Sequence, residues 1–535
     1  MLHRRKIILC ILISFTLIST SACDRQLQHA NAEDNYISIQ LLGINDFHGQ
    51  LDVYRTVNGK QVGGAEYLAS YLKKYEQENE NTLLLHVGDS IGASAPVSSL
   101  HQDEPTIDFL NRLGFDVGTV GNHGFDEGYE ELERLLFGGS HEHTGYFEGV
   151  NFPHTAANVM DQETGKSILP PYVIKEVSGI PIGFIGIVTT ETTKFVLPDG
   201  IKGVVFTDEV AAINQAAEEL IEKGVKAIVV LAHNSVSTKK DGSDPSGDVV
   251  EFAQRVDDEI DIIYGAHNHT YANTIIDQKL IVQSYSNGTA FSDVDIKIDP
   301  ETGDIVEKKA EIVRTYHKGM EPDAEIKEMV DSYREPVDSY VQKVIGYSSD
   351  KMTRKQNQSG ESGLGNVIAD SLRHEMETDV AFVYPGGIRA DLDKGEITWG
   401  EVYTAFPFDF RLVKMNLTGE QMKAVLEEQW MGGEPRILQI SGMRYTWDAH
   451  MPIGERIKEL LDEDGHPIDD HQMYTVTMNE FLAGGGDGFS VFRKGTNFME
   501  GSTELDALTR YIQGHEGDIL VPKLNRIKEV NIFIK

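Results

Sequence analysis

Between residues 37 and 269, an apolar run of strand length ends five times on a short cluster of histidine, aspartate or asparagine. The run 37–44 leads into Asn45-Asp46-Phe47-His48-Gly49, and 82–87 leads into Gly88-Asp89. The run ending at Val120 leads into Gly121-Asn122-His123-Gly124-Phe125-Asp126. The runs 227–231 and 260–264 lead into Ala232-His233-Asn234 and Gly265-Ala266-His267-Asn268-His269. A further run, 182–188, carries no such cluster, and stretches of helical periodicity at 64–80 and 209–223 fall between the runs. Strands alternating with helices predict α/β layers, in which the carboxyl ends of parallel strands open on a common crevice. Taken singly, each cluster reads as an ordinary turn, Gly-Asp above all. Five clusters at successive strand ends instead predict one convergent site. His141-Glu142-His143 is the contrast: it lies in the polar stretch 138–144 with no strand before it, and reads as a solvated loop.

The chain has two cysteines, Cys10 and Cys23, and both fall in its N-terminal segment. A metal site in the body must therefore use His, Asp, Asn and Glu. Such oxygen and imidazole donors suit Zn, Mn, Co or non-haem Fe better than a pure Mg or Ca site. Arg4, Arg5 and Lys6 precede an apolar run from Ile7 to Ile18 and then small residues up to Cys23, the layout of an export signal over 1–22. Two processing routes stay open: lipid attachment at Cys23, or cleavage at the small-x-small site Ala30-Asn31-Ala32. The predicted address is exported, either as a cell-surface lipoprotein or as a secreted or periplasmic protein. A net charge of −37 argues against a nucleic acid polymer as partner, because phosphate backbones need clustered Lys and Arg. Small phosphates remain possible substrates if cations supply the local positive charge.

A charged, helix-prone segment around Pro336 reads as a solvent-exposed connector over 319–343, with a second α/β unit over 344–535. That unit carries helical stretches at 366–377 and 419–429. Its motifs are Gly365-Asn366, Gly386-Gly387-Ile388-Arg389, Phe406-Pro407-Phe408, and Phe481 through Gly484-Gly485-Gly486-Asp487.

The ordered motifs of both units resemble those of the calcineurin-like metallophosphatases, and within them the bacterial 5′-nucleotidases. The resemblance implies a four-layer αββα catalytic domain over 36–318, followed by a nucleotide-binding domain. It also implies two divalent metal ions, one held by Asp46, His48, Asp89 and His269, the other by Asp89, Asn122, His233 and His267. By the same resemblance His123 and Asp126 form a catalytic pair, and a metal-activated hydroxide attacks a nucleoside 5′-monophosphate. Phe408 and Phe481 would sandwich the base, Asp487 would hold the ribose and Arg389 the phosphate.

The chain departs from the family pattern at several points. Gly124 stands where Glu is frequent, Tyr384-Pro385 replaces Asn-Gly, and Asp409-Phe410 replaces a Gly- or Asn-bearing turn. An arginine is missing near Gln358, with Arg354 as a candidate substitute. One arginine fewer predicts monophosphates over longer phosphate chains. Alternative readings are a 2′,3′-cyclic nucleotide phosphodiesterase/3′-nucleotidase, a UDP-sugar hydrolase, and a non-enzymatic nucleotide-binding surface lipoprotein. Asp126 favours the 5′-nucleotidase branch, and the complete ligand set disfavours a pure binder.

Overall fold

The computed structural model describes residues 36–432 and 435–530, so the segment expected to be an export signal, with Cys23, lies outside the described residues. Two six-stranded sheets pack face to face in the first half. The first sheet runs in the order 305–314, 290–298, 37–44, 82–87, 117–119, 154–155, and its last four strands are parallel. The second runs 172–177, 180–188, 227–233, 260–264, 279–284, 271–276, with a parallel centre flanked by antiparallel edges.

The strand Ile180–Val188 shows why the layers form. Ile182 and Phe184 point into the core between the sheets with Leu41, Leu85 and Ile262. Ile185 and Ile187 alternate with them and pack on Ile213 and Leu220 of the helix Glu209–Glu222. A strand covered on both faces reads as one apolar run, which is why periodicity alone located it. Each such side chain contributes roughly 1.5–3 kcal/mol on burial. On the first sheet, Leu42 and Leu84 face the helices Ala65–Glu76 and Glu104–Leu113 instead. The result is the expected αββα stack.

Two expectations need correction. The segment predicted as a solvent-exposed connector contains the helix Ala324–Arg334, whose Ile326, Met329 and Val330 are buried against Leu68 and Phe109. Its polar residues hid a narrow apolar stripe. The stretch 138–144 is largely a β-hairpin, Gly139–His141 pairing with Gly145–Phe147, and Glu142 and His143 at its tip are exposed.

The second unit is built on a five-stranded sheet in the order 439–441, 380–383, 473–479, 411–418, 496–503. The helices Gly363–Met376 and Glu504–Gln513 cover one face, and Gly419–Glu428 covers the other. Thr418 starts the last of these helices with a reciprocal capping box to Gln421. Leu100 and Leu197 of the first unit pack against these two cores, which brings the loops of both units together.

Candidate metal centre

All five clusters meet in one place, although they come from two sheets rather than one. Asp46, His48, Asp89, Asn122 and His123 follow strands of the first sheet. His233 ends a strand of the second sheet, and His267 and His269 follow the next. The backbone there is contorted: Asp46, His48, Asp89, His267 and His269 hold φ of 50°, 51°, 44°, 75° and 60°. Left-handed conformations in non-glycine residues cost about 1–3 kcal/mol and persist where the surroundings over-determine them. Two glycines make the close approach possible. A Cβ on Gly88 would meet His233 Nδ1 at 2.5 Å, and one on Gly121 would meet Asp89 Oδ1 at 2.2 Å.

Three overlapping groups, Asp46–His48–His269, His48–Asp89–His123 and Asp89–His233–His267, each bring their donor atoms within 4.8 Å of one another. His233 Nε2 lies 2.9 Å from Asp89 Oδ2, and Asn122 Oδ1 lies 3.2 Å from His233 Nε2 and 2.9 Å from His267 Nδ1. The Nδ1 atoms of His48 and His233 sit 2.8 and 2.9 Å from the carbonyls of Gly92 and Val87. Donating those protons leaves Nε2 with a lone pair facing inward. His48 Nε2 and His269 Nε2 then face each other at 3.1 Å, beside Asp46 Oδ1 at 3.6 Å from the latter. Facing nitrogens beside a buried carboxylate, with no thiolate in the set, fit a divalent cation of the Zn, Mn, Co or Fe type.

The electrostatics of His48, His269 and His267 agree with that chemistry. Burial, and then the charge on Arg389, hold His48 and His269 well below the ordinary histidine range, so both are neutral donors. Burial and the neighbouring His233 bring His267 down to about 3. Burial pushes Asp46 up to about 7. It works against the charge of Asp89 too, but the His233 and His123 imidazoles hold that carboxyl well below its usual range. His233 rises to about 9 against its own burial, because Asp89 is beside it. His123 Nδ1 lies 2.7 Å from Asp126 Oδ2, and Asp126 and Asp89 together raise the His123 pKa against the effect of burial. Asn45, the first residue of its cluster, is a positioning group that sequence reading passed over. Its Nδ2 donates to Asp46 Oδ2 at 2.6 Å, and its Oδ1 accepts from Ser284.

The residues expected to bind substrate also come near. Arg389 Nη2 lies 3.3 Å from His48 Nε2, and the Phe408 ring stacks on His123 at 5.6 Å. The slot expected between Phe408 and Phe481 holds a third ring. Phe410 lies nearly parallel to Phe408 (5.5 Å, 7°) and to Phe481 (5.8 Å, 13°). Phe481 is buried, and Tyr384 packs against it at 5.1 Å. Asp487 has φ 54°, and burial pushes its carboxyl up to about 6 with Arg436 opposing. Arg436, whose Nη1 donates to the Asp487 carbonyl at 2.9 Å, had no signal in the sequence.

Comparison with known proteins gives matches to both halves. The calcineurin-like phosphoesterase family matches residues 39–271, and the 5′-nucleotidase C-terminal domain matches residues 344–494. Endonuclease YhcR of Bacillus subtilis is 40% identical over 93% of this chain, which spans 41% of that protein's length. Cell wall protein Lmo0130 of Listeria monocytogenes is 35% identical over 90% of this chain and 68% of its own. The crystal structure of a 5′-nucleotidase precursor from Thermus thermophilus superposes with a TM-score of 0.80 at 28% identity, covering 92% of this chain and all of that one.

Proposed function

The chain belongs to the 5′-nucleotidase family, a calcineurin-like phosphoesterase domain followed by a 5′-nucleotidase C-terminal domain, and is a hydrolase; from that premise we propose that it releases phosphate from nucleotides, nucleoside 5′-monophosphates among them, outside the cytoplasm. The observation that carries this reading is Asp89, shared by two of the three donor groups, with the 2.7 Å His123–Asp126 pair alongside. In this reading Asp46, His48, Asp89 and His269 hold one cation. Asp89, Asn122, His233 and His267 hold the other. Two cations bound there would supply Lewis-acid polarisation of the phosphoryl group and of the attacking water.

The chain's own residues do the rest. Asp126 fixes His123 through Nδ1, which leaves Nε2 to donate to a phosphoryl oxygen as charge builds in the transition state. Asp89 also accepts from the His123 backbone N–H at 3.0 Å, tying that imidazole to the ligand loops. Arg389, beside His48, meets the phosphoryl oxygens from the second domain. For a nucleobase to lie between Phe408 and Phe481 the Phe410 ring must swing out of the slot, and Asp487 then accepts from the ribose hydroxyls.

The test is release of inorganic phosphate by the metal-loaded protein from AMP, 2′,3′-cyclic AMP and UDP-glucose. The expected order puts AMP first. A protein that carries two metal equivalents and leaves all three intact would refute the proposal. The relative described as a cell wall protein supports an exported address. Cys23, outside the described residues, is the proposed anchor, and Cys23→Ser is expected to move the protein from the membrane fraction to the soluble one. Unchanged partitioning would favour cleavage near Ala32 instead.

A further inference from the structure

A cavity of about 370 Å³ opens between the two domains where His123 and Phe408 stack. No metal ligand named above lines it, nor do Arg389, Phe481 or Asp487, so it is separate from the place given to the nucleotide. Its first-domain wall carries Asp103, Asp126, Glu127 and Glu131, and Asp409 joins them from the second domain. Tyr340, Trp399 and Tyr403 line the same cavity as a run of rings, with centroids 4.3 Å apart for the first pair and 5.1 Å for the next. Among the described residues no lysine or arginine lines it.

An acidic wall is ordinary in a chain of net charge −37, so the charge alone marks no site. What sets this wall apart is what it leaves unmet. Asp126 is answered by His123 at 2.7 Å, and Glu131 by Arg134 at 2.7 Å. Asp103 accepts from neutral donors, Ser98 Oγ at 2.6 Å and the Gly92 N–H at 3.0 Å. Desolvation, and then the charges of Asp126, Asp103, Glu131 and Asp409, push the Glu127 carboxyl up. Two hydroxyls on the wall, Ser94 Oγ and Ser99 Oγ, are buried with no hydrogen-bond partner among the described residues; Asp103 and Tyr403 stand near them outside bonding geometry. Ser94 is 3% exposed, so bulk water does not serve its hydroxyl.

Like charges held together, unmatched acceptors and aromatic faces complement a cation that carries both N–H donors and an alkyl surface. A single metal ion does not fit. Among the described residues no three of these carboxylates bring their oxygens within 4.8 Å of one another, as the donors of the metal centre do. We propose that this cavity is a site for an alkylammonium group, carried either by the alcohol of an amino-alcohol phosphate or by a free amine bound beside the substrate. The inference rests on the phosphohydrolase reading above and adds a second substrate class to it. His123 borders the cavity and also serves the reacting phosphoryl group, so a short amino alcohol esterified to that phosphate reaches the wall without entering the slot that Phe410 fills. The reaction is the same hydrolysis: the bond from phosphorus to the alcohol oxygen breaks, and water supplies the hydroxyl that phosphorus gains and the proton the alcohol takes.

The experiment compares kcat/KM of the metal-loaded full chain for phosphoethanolamine and for n-propyl phosphate, in which a methyl group replaces the ammonium. Salt at about 0.15 M screens diffuse surface charge. The wild type is expected to prefer phosphoethanolamine by about tenfold, the sum of a cation–π contact and a charge contact. Glu127→Gln combined with Tyr340→Leu changes two exposed side chains and is expected to bring the preference to about twofold or less, with propyl phosphate unaltered. Asp409→Asn, also exposed, repeats the test from the second domain. Calorimetric titration with putrescine, a diamine without phosphate, is the second arm: the wild type binds it, and the double variant binds it at least about threefold more weakly. Putrescine binding without a preference between the two esters would mark a free amine as the occupant. Absence of both effects in the wild type would overturn the proposal. So would either effect persisting undiminished in variants that melt at the wild-type temperature. If the wild type hydrolyses neither ester nor AMP, the reading of the function fails on its own, and the putrescine titration still decides the cavity.

Discussion

At the scale of single residues, ligands and proton donors can be told apart by substitution. Asp89 touches His233 and the His123 backbone and belongs to two donor groups. Asp89→Asn removes the shared charge, and the expected outcome is loss of bound metal with a fall in phosphate release of several orders of magnitude. His123→Ala is expected to lower kcat by roughly 10²–10³-fold while metal content stays whole, the pattern of one lost preorganised donor. Metal analysis beside kinetics decides between the roles, because His123 itself lies in one donor group. Asp487 gives a pH-dependent prediction. Its folded pKa, pushed up to about 6, exceeds the roughly 3.9 of an unfolded aspartate, so the folded state binds its proton more tightly. The associated stability is whole below about pH 4 and is lost as pH rises through 6. Asp487→Asn, which tolerates the left-handed backbone at φ 54°, is expected to add about 1–3 kcal/mol of stability at pH 7.5, read as a higher Tm, and to make no difference near pH 4. A gain that persists at pH 4 would assign the effect to something other than the buried charge.

At the scale of elements, the turn between Phe406 and Arg411 decides what the second domain can hold. Phe410 lies between Phe408 and Phe481, and Asp409 before it has φ 52°. A glycine at 410 would empty the slot. Phe410→Gly is expected to lower KM for AMP several-fold, since base stacking contributes about 1–3 kcal/mol per base, and to leave hydrolysis of a small aryl phosphate unaltered. Equal changes on both substrates would mean that the turn shapes the metal site rather than a base pocket. Phe408→Ala is the cleaner companion variant. Phe481 is 4% exposed and packs in the domain core, so truncating it would cost about 3–5 kcal/mol of stability before any binding effect could be read.

At the scale of the whole molecule, the donor set ties one sheet to the other. Asp46, His48, Asp89 and Asn122 hang from the first sheet, and His233, His267 and His269 from the second. Cations held by both would link the two halves of the first domain, and their removal would leave strained loops, facing imidazoles and buried carboxylates uncompensated. Chelation is therefore expected to lower Tm by several degrees, with recovery on adding Mn or Zn in excess of its Kd, as binding linkage requires. An identical melting curve with and without chelator, at a measured metal content of two and of zero, would separate the metals from the fold.

The sequence by itself determined the layer class, the strands that carry the ligands and the kind of ligand, because hydrophobic period and residue type are local properties of the chain. Ile37–Ile44, Thr82–Val87 and Ile260–Tyr264 lie where their apolar runs do, and the five clusters at the strand ends do converge. Tertiary structure alone decided that the clusters come from two facing sheets, that the polar helix Ala324–Arg334 docks by a narrow stripe, and that Phe410 enters the ring stack. It also brought Asp103, Glu127 and Tyr340 to one cavity. No local pattern marks a lone carboxylate beside a turn or a lone tyrosine in a polar segment as part of a site, since its meaning lies in the groups that chain folding sets beside it.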